Sequence, residues 1–186
     1  IMALDGVLDK LSGHDVMLLL QGLPALQGEV GTDQYGAELG KYLAALARHL
    51  ADKGIDAQHF ALYPIDEPAV NGWNTANTFV AFGKAVRAAN PGVLIYQDGS
   101  CELPMAQAMQ PVTDIWTPSI FDLPQHSEVM DIMRHTGKAL WSYNCGYGYS
   151  RPVGPNLKNG NFVAEYRNAA LFALNYGASG IGFWSY

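Results

Sequence analysis

The sequence has few cysteines and little concentrated charge, and both shortages exclude classes of protein. Two cysteines, Cys101 and Cys145, are too few for a disulfide framework, although one bridge stays possible, and their spacing does not match a metal site. The formal net charge is -6, and no cluster of Lys or Arg stands out. Because a nucleic-acid-binding protein needs a basic surface, we expect no nucleic-acid partner.

Long apolar runs and clustered histidines are also missing. Apolar runs such as residues 16–20 are far too short to cross a bilayer, so we expect no membrane span. The five histidines are scattered and form no His-x-His or His/Glu cluster of the kind that binds a metal. The sequence therefore predicts neither a metal nor another cofactor.

The composition is that of an ordinary globular protein, with 49% apolar and 15% charged residues in 186. The chain opens with Ile1 and stops at Tyr186 in what reads as the end of a strand. We therefore expect it to be part of a longer protein. The compartment stays open, and a secreted or periplasmic parent is compatible with the sequence.

Short, β-rich apolar runs alternate with longer segments of helical period. In the first predicted helix, Leu39, Leu43, Leu46 and Leu50 recur at steps of four, three and four and form one apolar stripe. No hairpin signal separates the strands, so the pattern predicts repeated βα units and a parallel sheet. The predicted strands are 16–21, 60–65, 93–97, 114–119, 139–144 and 180–184, and the helices are about 36–53, 75–89, 103–109, 127–135 and 162–176.

Two architectures fit such a pattern, an open doubly wound sheet and a closed barrel. The open sheet would need a Gly-rich phosphate turn after an early strand, and residues 21–24 are a poor candidate. A barrel has its active site at the carboxyl ends of its strands. Polar or aromatic residues recur there: Gln21, Asp66 and Glu67, Gln97 and Asp98, Thr117 and Ser119, Tyr143 and Asn144, and Trp184 to Tyr186. The sequence thus predicts an α/β fold, an incomplete (β/α)8 TIM barrel over residues 1–186 with strands three to eight. We expect the first strands to lie upstream, and any accessory β domains to be missing from this chain.

The stretch at residues 63–68, Tyr-Pro-Ile-Asp-Glu-Pro, has two adjacent acids at a predicted strand end. Pro64 and Pro68 restrict the backbone on either side and stiffen the turn. Where a strand turns into a loop, the side chains of Asp66 and Glu67 can converge on one pocket. Two nearby carboxylates push their proton affinities apart, which suits acid/base catalysis. If the two acids have no catalytic role, Asp66 caps the following turn and Glu67 is a solvated loop residue.

This stretch, followed by later strands ending in Trp-Ser-Tyr-Asn and Gly-Phe-Trp-Ser-Tyr, resembles glycoside hydrolase family 123 and its uncharacterised relatives. The resemblance covers nearly the whole chain. It implies that Glu67 is the acid/base, and that Asp66 orients the substrate's 2-acetamido group, whose oxygen attacks the anomeric carbon. The implied activity is the retaining, substrate-assisted removal of terminal 2-acetamido sugars, as in a β-N-acetylhexosaminidase or galactosaminidase. Such substrate assistance is an exception to the usual scheme of two enzymatic carboxylates.

The predicted strand at 139–144 offers a separate check, because barrel glycosidases with an enzymatic nucleophile often place a second Glu near a late strand end. This strand contains no carboxylate, which is what substrate assistance predicts. Asp98 and Asp122 could still serve as a nucleophile from neighbouring strands.

Aromatic residues suit a carbohydrate partner, because sugar rings stack their C–H faces on aromatic planes. Barrel interiors also use aromatic residues as filling, so about half of the aromatic candidates are expected to belong to the core. By resemblance, a tyrosine at position 143 could bond the acetamido group. The predicted substrate-binding residues are Trp116, Trp141, Tyr143, Asn144, Trp184, Tyr186, Gln97 and Asp98.

The alternatives are an ordinary barrel glycosidase with an enzymatic carboxylate nucleophile and a non-catalytic carbohydrate-binding barrel. An aldolase or an enolase-type lyase would usually need a strand-end Lys or a set of metal-binding acids. Lys138 precedes a predicted strand instead of ending one, which argues against the Lys-dependent version.

Overall fold

Helices and strands alternate in the computed structural model, which describes residues 2–11, 14–145 and 162–184. A short 3-10 turn, Gln110–Val112, directly follows the helix Leu103–Met109. In chain order the elements are α1 (Met2–Leu11), β1 (Leu18–Gln21), α2 (Asp33–Asp52), β2 (Phe60–Tyr63), α3 (Trp73–Ala89), β3 (Leu94–Asp98), α4 (Leu103–Met109), β4 (Ile115–Thr117), α5 (Glu128–Thr136), β5 (Ala139–Cys145), α6 (Phe162–Asn175) and β6 (Gly180–Trp184).

The six strands found in the described residues form one sheet in the order β1-β2-β3-β4-β5-β6, and every neighbouring pair is parallel. Each strand therefore lies beside the strand that follows it in the chain. A doubly wound sheet would reverse its strand order at a switch point, and this sheet does not.

The two faces of the sheet have different surroundings. All six helices contribute to one core with one face of the strands, through residues such as Phe60, Leu62 and Ile95. The opposite, inner face has a smaller cluster that includes Ala61, Tyr63, Leu94, Tyr96 and Ile115. Within the described residues, the helices lie on one face of a sequential parallel sheet, which is the arrangement of an incomplete (β/α)8 barrel and confirms the predicted fold class.

Local signals explain where the best-defined helices begin. Thr32 caps α2 by accepting a hydrogen bond from the backbone N–H of Tyr35, and Ser127 caps α5 in the same way with Met130. The four-leucine stripe of α2 is buried against the sheet, as its period predicts.

The structure differs from the predicted elements at a few ends. Helix α1 was not predicted, and α2 begins at Asp33, three residues before the predicted start, because Thr32 provides the cap. Strand β3 continues to Asp98, one residue beyond its predicted end. Within the described parts of the chain, no helix has both the length and the apolar character that a membrane crossing requires.

Candidate functional site

The carboxyl ends of the strands carry the acids that the sequence singled out. Successive side chains of a strand point to opposite faces, so residues two apart share a face. On β2 this rule puts Tyr63 on the inner face with Ala61, and on β3 it puts Asp98 on the inner face with Tyr96. The inner face therefore presents a tyrosine and an aspartate where β2 and β3 end.

The turn after β2 holds Glu67 in an unusual backbone conformation. Its φ is 43°, and it is the one non-glycine residue with positive φ in the described parts of the chain. Such a left-handed conformation is rare for a residue with a Cβ, and it persists only where the surroundings enforce it. The backbone N–H of Glu67 donates to Oδ1 of Asp98 at 2.9 Å, which ties this turn to the end of β3.

The carboxylate of Glu67 is bound from across the sheet. The hydroxyl of Tyr143, on β5, donates a hydrogen bond to its Oε1. Tyr143 lies on the inner face, because it is two residues beyond Trp141, which packs against the inner cluster. Glu67 is half-buried and points across the strand ends toward β5.

Asp66 is exposed and is bound through a buried tyrosine. The hydroxyl of Tyr63 donates to Oδ1 of Asp66 and also lies 2.7 Å from Oδ2 of Asp98. A hydroxyl has one hydrogen to donate. Tyr63 can therefore donate to one carboxylate at a time, and it can accept from Asp98 when that carboxyl is protonated.

The electrostatics of the site centre on Asp98, which is only 1% exposed. Burial raises the pKa of its carboxyl to about 6, and the neighbouring Asp66 and Glu67 add to the rise. The hydrogen bonds from Tyr63 and from the Glu67 N–H act in the opposite direction. Burial also raises the pKa of Tyr63, so its hydroxyl keeps its proton and remains a donor.

Aromatic rings lie beneath these acids on the inner face. Tyr63 and Tyr96 pack edge to face with their ring centroids 4.8 Å apart. The ring centroids of Tyr96 and Trp141 are 6.2 Å apart. Trp141 also covers Gly180 of β6, where an added Cβ would come within 2.8 Å of the indole. Tyr63, Tyr96 and Trp141 form what we call the aromatic floor.

The structure corrects two of the predicted substrate contacts. Trp116 is fully buried and belongs to the core between the sheet and the helices, because its neighbours Ile115 and Thr117 take the inner face. Gln97 is also fully buried, and its amide donates to the carbonyl of Asp98 at 2.5 Å and to that of Gly99 at 3.3 Å. Neither residue is available to a sugar, and Gln97 instead braces the end of β3.

Other predicted contacts have different outcomes. Tyr143 and Trp141 lie on the inner face as described, and Asp98 lies there with both oxygens engaged by protein groups. Asn144 and Trp184 lie in β5 and β6, but their side chains are outside the described residues, as is the whole of Tyr186.

Sequence reasoning missed Tyr63 and Tyr96 as parts of the site. The signal was present, since both alternate along their strands with residues of the helix-facing core, Leu62 and Ile95. Within residues 2–11, 14–145 and 162–184, no group of three or more His, Cys, Asp or Glu is arranged to hold a metal ion.

Comparisons with known proteins identify no family for this chain. A scan of protein families finds no match, and a search of curated proteins gives no significant one. Among solved structures, phospho-2-dehydro-3-deoxyheptonate aldolase (DAHP synthase) from Thermotoga maritima is 12% identical with a TM-score of 0.44, covering 91% of this chain and 41% of that one. A truncated form of the Thermotoga maritima synthase has the same identity and TM-score and is covered to 51%.

The carboxyl transferase domain of Rhizobium etli pyruvate carboxylase is also 12% identical, with a TM-score of 0.46, covering 98% of this chain and 33% of that one. This chain spans 33% to 51% of the lengths of these three structures. Similarity at this level carries no argument about function, and the fold rests on the strand order and layering described above.

Proposed function

We propose that this chain carries the catalytic centre of a retaining glycoside hydrolase that removes terminal 2-acetamido sugars by substrate assistance. The observation that supports it is a pair of adjacent acids above the inner face, each bound by a different tyrosine. Tyr143 donates to Glu67, and Tyr63 donates to Asp66. The division of labour between the two acids follows the resemblance to glycoside hydrolase family 123.

Glu67 is the proposed acid/base. Its carboxyl proton goes to the glycosidic oxygen as the bond to the anomeric carbon breaks, and the acetamido oxygen attacks that carbon to form an oxazolinium ring. The carboxylate of Glu67 then takes a proton from the water that attacks the anomeric carbon and opens the ring. The two displacements each invert the anomeric carbon, so the configuration is retained overall. The hydrogen bond from Tyr143 supports this role because it fixes one oxygen of Glu67 and leaves the other for the substrate.

Asp66 is the proposed partner of the acetamido group. An ionised carboxylate accepts hydrogen bonds, so it can bind the acetamido N–H and stabilise the positive charge that develops on the oxazolinium. Tyr63 engages one of its oxygens, while the residue as a whole is exposed. The exposed part of Asp66 is accessible to a ligand above the strand ends.

The surroundings of the other acids favour substrate assistance over an enzymatic nucleophile. Asp98 is buried, and its two oxygens are engaged by Tyr63 and by the Glu67 N–H. Asp122 is bound by the hydroxyl of Ser100 and, at 3.1 Å, by the amide of Gln125. A nucleophile needs a free oxygen that can reach the anomeric carbon, and these contacts make both acids poor candidates.

The aromatic floor supports a carbohydrate as the ligand. Tyr63 and Tyr96 are buried, so the ring that a sugar could reach is the indole of Trp141. An indole offers an apolar face to the C–H side of a pyranose. Trp141 is only partly buried, so its ring retains accessible surface on the inner face.

Hydrolysis of an aryl β-N-acetylgalactosaminide and of the corresponding glucosaminide tests the proposal directly. We expect release of the aryl group and a first sugar product with a retained anomeric configuration. Proton NMR of that product measures the configuration. E67Q should reduce kcat by about 1,000-fold or more, because it removes the proton donor and base. E38Q is the matched control, since Glu38 lies on α2 and pairs only with Lys41 among the described contacts.

A thiazoline that mimics the oxazolinium should inhibit the enzyme competitively. Hydrolysis of sugars without a 2-acetamido group, with no inhibition by the thiazoline, would point to an ordinary glycosidase. Sugar binding without turnover, unchanged by E67Q, would point to a non-catalytic carbohydrate-binding barrel. Either result overturns the proposed mechanism.

A further inference from the structure

We propose that Asp98 is a positioning residue of this site, which holds the turn at Glu67 and the hydroxyl of Tyr63 so that both acids face the same ligand. The expected effect on activity rests on the proposed function, whereas the contacts that Asp98 makes do not depend on it. It also replaces the predicted role of Asp98 as a sugar contact.

Asp98 supports the unusual backbone conformation of Glu67. Its left-handed φ of 43° costs free energy that a non-glycine residue must recover from its surroundings. The hydrogen bond from its N–H to Oδ1 of Asp98 is charge-assisted when the carboxylate is ionised, which makes it one of the stronger kinds. Asp98 thus stabilises the conformation that directs the Glu67 side chain toward Tyr143.

The end of β3 lies close against the turn that holds Glu67. Gly99, with a φ of 85°, follows Asp98, and a Cβ there would lie 3.2 Å from both Cβ and Cγ of Glu67. Gln97 donates to the carbonyls of Asp98 and Gly99 and so holds this segment from the other face of the sheet. The end of β3 is therefore a fixed support against which the Glu67 turn rests.

Asp98 also contacts Tyr63. Its hydroxyl lies between Oδ2 of Asp98 and Oδ1 of Asp66. Asp98 therefore bonds the backbone of one proposed catalytic acid and the tyrosine that orients the other. Because Asp98 is only 1% exposed, it can act on the substrate only through these partners.

An NMR titration tests the positioning without using activity. In a ¹⁵N-labelled sample, the amide resonance of Glu67 should titrate with a midpoint near the pKa of Asp98, which is about 6. In D98N this step should vanish, because the side chain no longer ionises. The acids that face Asp98 are Asp66 and Glu67, so E67Q and D66N are titrated alongside to identify their own contributions.

Kinetics test the consequence for the site. D98A removes both hydrogen bonds, so kcat should fall by about 100-fold with a much smaller change in KM, the effect expected of a misplaced catalytic group. D98N should recover most of that loss, because its amide oxygen still accepts from the Glu67 N–H and its amide hydrogens can bond Tyr63.

D114N is the matched control, because Asp114 is also buried and accepts a backbone N–H, that of Ile95, at 2.8 Å. It lies just before β4, at the amino end of the strand, so we expect lower stability with an unchanged Glu67 titration. The inference is overturned if the Glu67 amide shows no Asp98-dependent titration, or if D98A retains full kcat in an enzyme that E67Q inactivates. A wild-type protein with no hydrolase activity but an intact Asp98-dependent titration would overturn the proposed function and leave the positioning in place.

Discussion

The hydroxyl of Tyr143 donates a hydrogen bond to the carboxylate of Glu67, although the two residues are 76 positions apart in the chain. The bond crosses the strand ends from β5 to the turn after β2. A sequential parallel sheet makes this possible, because its curvature brings the carboxyl ends of separate strands to one mouth.

Removing the Tyr143 hydroxyl should therefore impair the proposed acid/base. Hydrogen bonds to charged groups contribute about 1.5–3 kcal/mol, so Y143F should lower kcat by about 10- to 100-fold. Steady-state kinetics on the aryl glycoside measures the change. Y42F, on helix α2, makes the same chemical change outside the site and should leave kcat unaltered. Equal kcat values for Y143F and wild type would show that the bond has no catalytic importance.

The buried carboxyl of Asp98 should make stability depend on pH in a defined direction. Its folded-state pKa of about 6 is above the ordinary value of 3.8, so the folded state binds its proton more tightly than the unfolded state. This contribution is fully present below about pH 4 and is lost as the pH rises through about 6. Wild type should lose about 2 kcal/mol of unfolding free energy through this group between about pH 4 and pH 7.5.

D98N isolates that contribution, because its side chain does not ionise and most other titrations cancel in the difference. Urea unfolding at both pH values gives the free energy of wild type minus that of D98N. We expect this difference to decrease with rising pH. A difference that stays flat or increases would contradict the burial of an ionisable Asp98.

The parts of this fold that sequence could predict are those set by a repeating pattern. The leucine stripe of α2 defines a helix with one buried face, and alternating βα units define a parallel sheet. Helix α1 has only ten residues and was not predicted from its pattern. The contacts among Glu67, Asp98 and Tyr143 join three separate strand ends, so no local pattern encodes them.

The buried position of Trp116 could have been predicted from strand alternation. Thr117 was placed at the mouth of the barrel, and strand alternation then assigns the preceding Trp116 to the opposite face. The same rule separates Gln97 from Asp98. An aromatic or polar residue near a strand end is thus a candidate for substrate binding only when it lies an even number of positions from a residue of the same strand that points inward.

Two tryptophans should consequently respond differently to substitution. W116F removes volume from the core between sheet and helices, so the unfolding free energy should fall by about 1–3 kcal/mol with kcat/KM unchanged. W141A removes part of the aromatic floor, so kcat/KM should fall by about 10-fold, as expected for one lost aromatic contact. Urea unfolding and steady-state kinetics on both variants separate the two effects, and a W116F enzyme with intact stability but lost activity would reverse the assignment of faces.

Substitution of Gly99 distinguishes the effect of backbone strain on stability from the effect of site geometry on activity. G99A forces a Cβ onto a residue with a φ of 85° and places it 3.2 Å from Cβ and Cγ of Glu67, so both stability and activity should fall. G54A is the matched control, because Gly54 has a φ of 81° and nothing within 4 Å of the added Cβ. Both variants should lose about 1 kcal/mol or more of unfolding free energy from the left-handed backbone. Only G99A should also displace the Glu67 turn and lower kcat, by about 10-fold or more. If G54A lowers kcat as much as G99A does, the loss reflects general destabilisation, and the close packing of Gly99 against Glu67 has no part in catalysis.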